Sequence, residues 1–173
     1  MDSRPAQFEA LVHAYASDLY RYAVWLGNSR ETAEDLVQET FLRAWKALDS
    51  LREPRAARGW LVTILRREHA RRFAGSRAEG MPLDDVDPER FAAFAYGDPA
   101  DVLAMRRALA ELAADYREPL LLQVIGGYSC EEIGGMLGLT AGAVMTRLSR
   151  ARHKLRRCLK GAALVGRKAE GPR

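Results

Sequence analysis

Residues Tyr128 to Arg157 read YSCEEIGGMLGLTAGAVMTRLSRARHKLRR. Ser129 and Glu132 have the S-x-x-E spacing of a capping box, in which each side chain satisfies a backbone N–H that the first helical turn leaves without a partner. Ile133, Met136 and Leu137 then give a short helix its apolar side, and Gly138 permits the sharp turn that ends it. Thr140 is placed to cap a second helix, whose inward stripe is Val144, Leu148, Ala151 and Leu155. Two short helices joined by a glycine turn read as a helix-turn-helix, whose second helix lies in the major groove of DNA.

The outward side of that second helix carries Met145, Thr146, Arg147, Ser149, Arg150, Arg152 and Lys154, followed by Arg156 and Arg157, with no acid among them. Arginine forks suit both guanine edges and phosphates, so residue type and placement agree. A basic helix lying in solvent at a chain end is the plainer alternative. The capped helix and glycine turn at the right distance before it favour the DNA-reading one.

Upstream, Val102, Met105, Leu109 and Leu112 mark another helix. Pro119 is expected in the first turn of a helix over Leu120 to Ile125, closed by Gly126 and Gly127. Before Pro99 the chain is rich in glycine, proline and acid, with DDVDPERFAAFAYGDPAD spanning Asp84 to Asp101, which reads as a linker.

The first half carries three helical patterns. Phe8, Leu11, Val12, Tyr15, Leu19, Tyr22, Ala23 and Leu26 recur at three- and four-residue steps. A second helix is expected from Arg30 to Ala47 with Ala33, Leu36, Val37, Thr40, Phe41 and Ala44 inward. Pro54 breaks the chain, and a third helix over Arg58 to Phe73 has Trp60, Leu61, Ile64 and Leu65 on its apolar side. No stretch alternates apolar and polar residues as a strand does. The sequence therefore predicts an all-α fold of two small helical domains joined by an acidic flexible linker. The expected bounds are 1–73 for the first domain, 74–99 for the linker, 100–160 for the second domain and 161–173 for a mobile tail.

Composition agrees with a folded chain: of 173 residues, 48% are hydrophobic and 29% charged, without the polarity that marks disorder. The net charge of +4 is modest, but it conceals two basic blocks, Arg66 to Arg72 and Arg147 to Lys160, on either side of the acidic segment. Basic residues interleaved with an aromatic, as in RGWLVTILRREHARRF, suit single-stranded nucleic acid, although a tryptophan at the Trp60 position also suits a core. On the second helix Asp35, Gln38, Glu39 and Leu42 share one side, a mixed acidic and apolar face better matched to a basic protein than to DNA. A solvated helix surface is its plain alternative.

Catalytic and metal chemistry find little support. His13, His69 and His153 are isolated, no nucleophile has a matched base, and the carboxylates Glu34, Asp35 and Glu39 lack further ligands. No enzyme, cofactor or metal is expected. Cys130 and Cys158 are far apart and read as reduced thiols. No apolar run approaches the ~20 residues of a membrane span, and the N-terminus lacks the order of a signal peptide. A cytoplasmic protein without membrane insertion is expected.

Taken in order, AEDLVQETFLRAW, RGWLVTILRREHARR, an acidic linker and YSCEEIGGMLGLTAGAVMTRLSRARHKL resemble the extracytoplasmic-function (ECF) sigma factors of the sigma-70 superfamily, over about Phe8 to Leu159. The resemblance implies sigma domains 2 and 4 and promoter-specific initiation of transcription. It places Asp35, Gln38, Glu39 and Leu42 against the beta-prime clamp helices of core RNA polymerase. It puts Arg55, Arg58, Trp60, Arg66, Arg67, Arg71 and Arg72 at the −10 element, and Thr140, Met145, Thr146, Arg147, Ser149, Arg150, Arg152 and Lys154 at the −35 element. It further implies core polymerase, including its beta flap, promoter DNA and an anti-sigma factor as partners. Many members carry Arg or Lys at the Met145 position, Ala at Gly134 and Asn at Arg67. Each of Gly134 and Gly135 is expected to cost its helix roughly 1 kcal/mol relative to Ala. Two other readings keep the same motifs: a sigma-like decoy that binds an anti-sigma factor without initiating, and a dimeric helix-turn-helix repressor with a palindromic site.

Overall fold

The computed structural model describes residues 4–27, 29–73 and 98–169. Most of the expected linker, residues 74–97, lies outside them. The chain divides into two compact units, Met1–Pro82 and Leu83–Arg173. Among the described residues there are seven α-helices and no strand.

The first unit is built from α1 (Arg4–Gly27), α2 (Arg30–Lys46) and α3 (Ala57–Phe73), with one-turn 3-10 segments at Leu48–Ser50 and Pro54–Ala56 between the last two. Ser29 caps α2 by accepting a 3.0 Å bond from the Thr32 N–H, and Arg43 and Lys46 in its last turn oppose the negative end of the helix dipole. Pro54 starts a 3-10 turn, where its missing N–H goes unneeded. Each helix turns its small and branched apolar residues inward: Leu19, Ala23 and Leu26 from α1, Leu36 and Ala44 from α2, Leu61 and Leu65 from α3 are all buried. Thr40 is buried too, because its hydroxyl donates to the Leu36 carbonyl at 2.6 Å and needs no water. Val37 and Phe41 of the expected inward stripe are only half-buried. Phe41 meets the edge of Phe8, and Phe8 in turn meets Trp45, at ring separations of 6.1 and 5.1 Å.

The second unit contains α4 (Pro99–Ala110), α5 (Ala114–Val124), α6 (Cys130–Leu137) and α7 (Ala141–Ala169). Asp98 caps α4 by accepting a 2.8 Å bond from the Ala100 N–H. Helix α7 packs against each of the other three. It runs to Ala169, past the Lys160 at which the second domain was expected to end.

The start of α5 corrects the sequence reading. The helix begins at Ala114, and Pro119 lies inside it. Proline there forfeits one backbone bond to the preceding turn. The Ala113 carbonyl nevertheless accepts from the N–H groups of Tyr116 and Arg117 at 2.9 and 3.0 Å, so the first turn closes without the proline. The ring is buried beside Leu120, Leu121 and Leu122, and that packing offsets the lost bond. Arg106 of α4 is also buried, and the loss of water pushes its guanidinium down to about 10, so it remains charged at neutral pH.

Candidate functional site

The capping box at Ser129 is formed. The Glu132 N–H donates to Ser129 Oγ at 3.2 Å, and the Ser129 N–H donates to the Glu132 carboxylate at 2.8 Å. Gly138 ends α6 with φ 68°, the left-handed region that glycine occupies without strain. The next N–H, of Leu139, reaches back to the Gly134 carbonyl at 2.9 Å, the six-to-one bond of a Schellman turn. A methyl group on Gly134 would lie 2.6 Å from the Leu139 carbonyl oxygen, whereas one on Gly135 would meet nothing within 4 Å. The equal penalty expected for the two glycines therefore does not hold. Alanine at 134 requires the turn itself to shift, while alanine at 135 stands in open space.

Thr140 caps α7 by accepting from the Ala143 N–H at 3.2 Å. Val144, Leu148 and Ala151 are buried beneath it and Leu155 is half-buried, so the residues expected to read DNA are carried on the opposite side. Met145 is 56% exposed, and Ser149, Arg150, Arg152 and Lys154 are exposed as well. These basic residues are not equivalent. Arg147 lies 3.6 Å from Asp115, Arg152 donates to the Gln123 side chain, and Lys154 sits 4.6 Å from the ring centre of Tyr116. All three contacts fall on α5. Thr146 bonds back to the Gly142 carbonyl at 3.0 Å. Arg150 has no hydrogen-bond or ion-pair partner among the described residues.

In the first unit Asp35, Gln38, Glu39 and Leu42 line one wall of a groove of about 530 Å³, with Leu36 beside them. The other wall is α3, through Glu68, Arg71 and Arg72. Arg72 donates to Asp35 at 3.0 Å. Arg71 is 2.5 Å from Glu68 and 3.8 Å from Glu39. Arg43 is 3.0 Å from Glu39 and 2.5 Å from Glu68, a close charge contact without hydrogen-bond alignment. Glu68 is the centre of this network and is 7% exposed. Sequence reasoning passed over it. The signal was there, since Glu68 is the single acid of α3 and stands three residues before Arg71, but its partner Arg43 is on another helix.

The other residues expected at the −10 element scatter. Trp60 is half-buried and packs against the cluster of Leu11, Leu48 and Ala57, with Phe8, Tyr15 and Leu51 around it. Arg58 lies 3.5 Å from Asp18 and Arg55 2.7 Å from Glu53. Arg66 is half-buried and Arg67 exposed. Arg71 and Arg72 are thus brought together with the acidic face of α2.

Cys130 and Cys158 are free thiols, both partly buried. Among the described residues no cluster of His, Cys, Asp or Glu could hold a metal ion, and no helix is long and apolar enough to cross a membrane.

Two family models match the chain, Sigma-70 region 2 over residues 11–79 and Sigma-70 region 4 over residues 103–155. The chain is 35% identical over 155 residues to the ECF RNA polymerase sigma factor SigL of Mycobacterium tuberculosis, covering 87% of this chain and 88% of SigL. It is 34% identical over 159 residues to SigE of Mycolicibacterium smegmatis, covering 86% of this chain but 60% of SigE. Among solved structures it is similar to the sigma factor RpoE of Bartonella quintana, crystallised with the anti-sigma factor NepR. That match has a TM-score of 0.68 and 29% identity, over 92% of this chain and 98% of RpoE. CnrH, solved with the cytosolic domain of CnrY, matches with a TM-score of 0.65 and 29% identity, over 92% of this chain and 90% of CnrH.

Proposed function

The chain belongs to the ECF RNA polymerase sigma factors of the sigma-70 superfamily, a class of transcription-initiation factors, and on that premise we propose how its surfaces divide the work. Residues 1–73 act as sigma domain 2, 74–99 as the linker and 100–160 as sigma domain 4, with the C-terminal segment beyond. The face of α2 bearing Asp35, Gln38, Glu39 and Leu42 docks on the beta-prime clamp helices of core polymerase, and the second unit meets the beta flap. Arg55, Arg58, Trp60, Arg66 and Arg67 engage the −10 element, where extruding a base costs a few kcal/mol of stacking that a positive surface and a fitted pocket must offset. The protein works in the cytoplasm and needs no cofactor.

The −35 element is read by α7. Met145, Ser149 and Arg150 stand ready. Arg147, Arg152 and Lys154 reach phosphates once they leave Asp115, Gln123 and Tyr116, exposed contacts worth only about 0 to 1 kcal/mol. An anti-sigma factor holds the chain inactive. RpoE, crystallised with the anti-sigma factor NepR and similar to this chain in fold, supports that partner.

The observation that carries the reading is the outward side of α7, free of acid along its whole length and supported from below by a fully formed cap and turn. Run-off transcription from fragmented genomic DNA, with core polymerase in the presence and absence of the protein, tests it. Defined transcripts that need the protein support the reading, and their aligned upstream sequences give both promoter elements. Binding to core without transcripts favours a decoy. Absence of any binding to core overturns the proposal.

A further inference from the structure

Arg66 to Arg72 read as one basic block in the sequence, and the family resemblance places Arg71 and Arg72 with it at the −10 DNA. The groove between α2 and α3 argues otherwise. It is lined by all four α2 residues proposed to dock on polymerase and by Arg71 and Arg72 together, so a partner seated on Asp35 and Leu42 meets both arginines. Three carboxylates, Asp35 and Glu39 on the α2 wall and Glu68 on the α3 wall, share this space with two guanidinium groups. A phosphate backbone gains nothing from such a surface, because binding to it depends on an excess of positive charge that displaces counterions. A protein helix that presents a cation and a carboxylate side by side and an apolar residue about two helical turns away matches it: the cation meets Asp35, the carboxylate meets the adjoining Arg72, and the apolar residue covers Leu42, which is 52% exposed.

The existing ion pairs do not obstruct such a partner. Arg72 and Asp35 pair at 3.0 Å with side chains 46% and 58% exposed. A pair that exposed contributes about 0 to 1 kcal/mol, so each member can exchange its partner for one across the interface at little loss. Arg71 is held more firmly by the buried Glu68 and fixes the wall against which the exchange occurs.

We infer that Arg71 and Arg72 contact core RNA polymerase as part of the α2 docking surface, and that they do not contact −10 DNA. The inference rests on the proposed docking of α2. Its test compares the full-length parent, Arg72→Glu and Asp35→Arg. Affinity for core polymerase is measured by anisotropy of the labelled protein. Opening of a promoter recovered in the run-off assay is then measured at core-saturating concentrations of each variant. Among the described residues Arg72 pairs only with the exposed Asp35, so the fold is not at stake, and Arg71→Gln serves as a second variant. Arg72→Glu is expected to weaken core binding about tenfold or more. Promoter opening by the same variant should return to the parent level at saturation. An affinity within twofold of the parent overturns the inference, as does an opening defect that persists at saturation. If Asp35→Arg alone weakens core binding, only the inference falls. If neither substitution changes it, the docking of α2 falls as well.

Discussion

Removing the charge of Glu68 tests whether the α2–α3 network holds the first unit together. Glu68 accepts a 2.5 Å hydrogen bond from Arg71 and lies 2.5 Å from Arg43 in a charge contact, with its own side chain 8% exposed and those of Arg71 and Arg43 64% and 39%. Hydrogen-bonded contacts to charged groups contribute about 1.5 to 3 kcal/mol when buried, and exposed ion pairs about 0.2 to 1 kcal/mol. One end of each pair is dry and the other wet, so Glu68→Gln, which keeps the shape, should destabilise the unit by about 1.5 to 2.5 kcal/mol. Arg43 keeps Glu39 at 3.0 Å after the change, which is why the loss stays below that of a fully stranded buried charge. The assay is urea unfolding followed by tryptophan fluorescence. Trp25, Trp45 and Trp60 all belong to the first unit, so the signal follows that unit alone. With a slope of about 1 kcal/mol per molar urea, the midpoint should fall by roughly 1.5 to 2.5 M. A cycle with Arg43→Met should give a coupling of about 1 kcal/mol. Single effects that simply add, to within about 0.3 kcal/mol, would show that the contact contributes nothing and would refute the reasoning.

Ser129→Ala removes the side-chain acceptor of the Glu132 N–H and leaves the backbone N–H of residue 129 bonded to the Glu132 carboxylate; it should destabilise the second unit by about 1 kcal/mol, seen as an earlier loss of helical circular dichroism while the tryptophan-monitored transition of the first unit is unchanged. Gly135→Ala should stabilise the second unit by up to about 1 kcal/mol. Gly126→Ala should destabilise it, because the new methyl would lie 2.6 Å from the Tyr128 ring; thermal melts of the two variants should move in opposite directions. Arg150→Glu should abolish promoter-specific transcripts while core affinity stays within twofold of the parent. Asp115→Asn, which frees Arg147, should tighten binding to duplex DNA in a gel-shift titration, most visibly at low salt.

The helix-turn-helix was legible because its instructions are local. Ser129 and Glu132, Gly138, and Thr140 with Ala143 act across a few residues, and a stripe such as Val144, Leu148 and Ala151 follows from the pitch of one helix. The all-α class and the inward faces of α1 and α3 followed for the same reason. Pro119 misled because a local rule places proline at a helix start, whereas burial of its ring against the rest of the second unit decided the outcome. Charge was the least legible feature. A sequence gives the sign of Arg71, Arg72, Arg147 and Lys154 but not their direction, since a long side chain turns toward whatever the neighbouring helix offers. Asp35 meets Arg72 across a separation of 37 residues, and Gln123 meets Arg152 across 29. Sequence alone thus determined which helices form and which of their sides are apolar, because both depend on contacts within a turn or two. Only the tertiary structure decided which charges remain available to a partner, because that depends on helix packing, which brings residues distant in the chain within reach of one another.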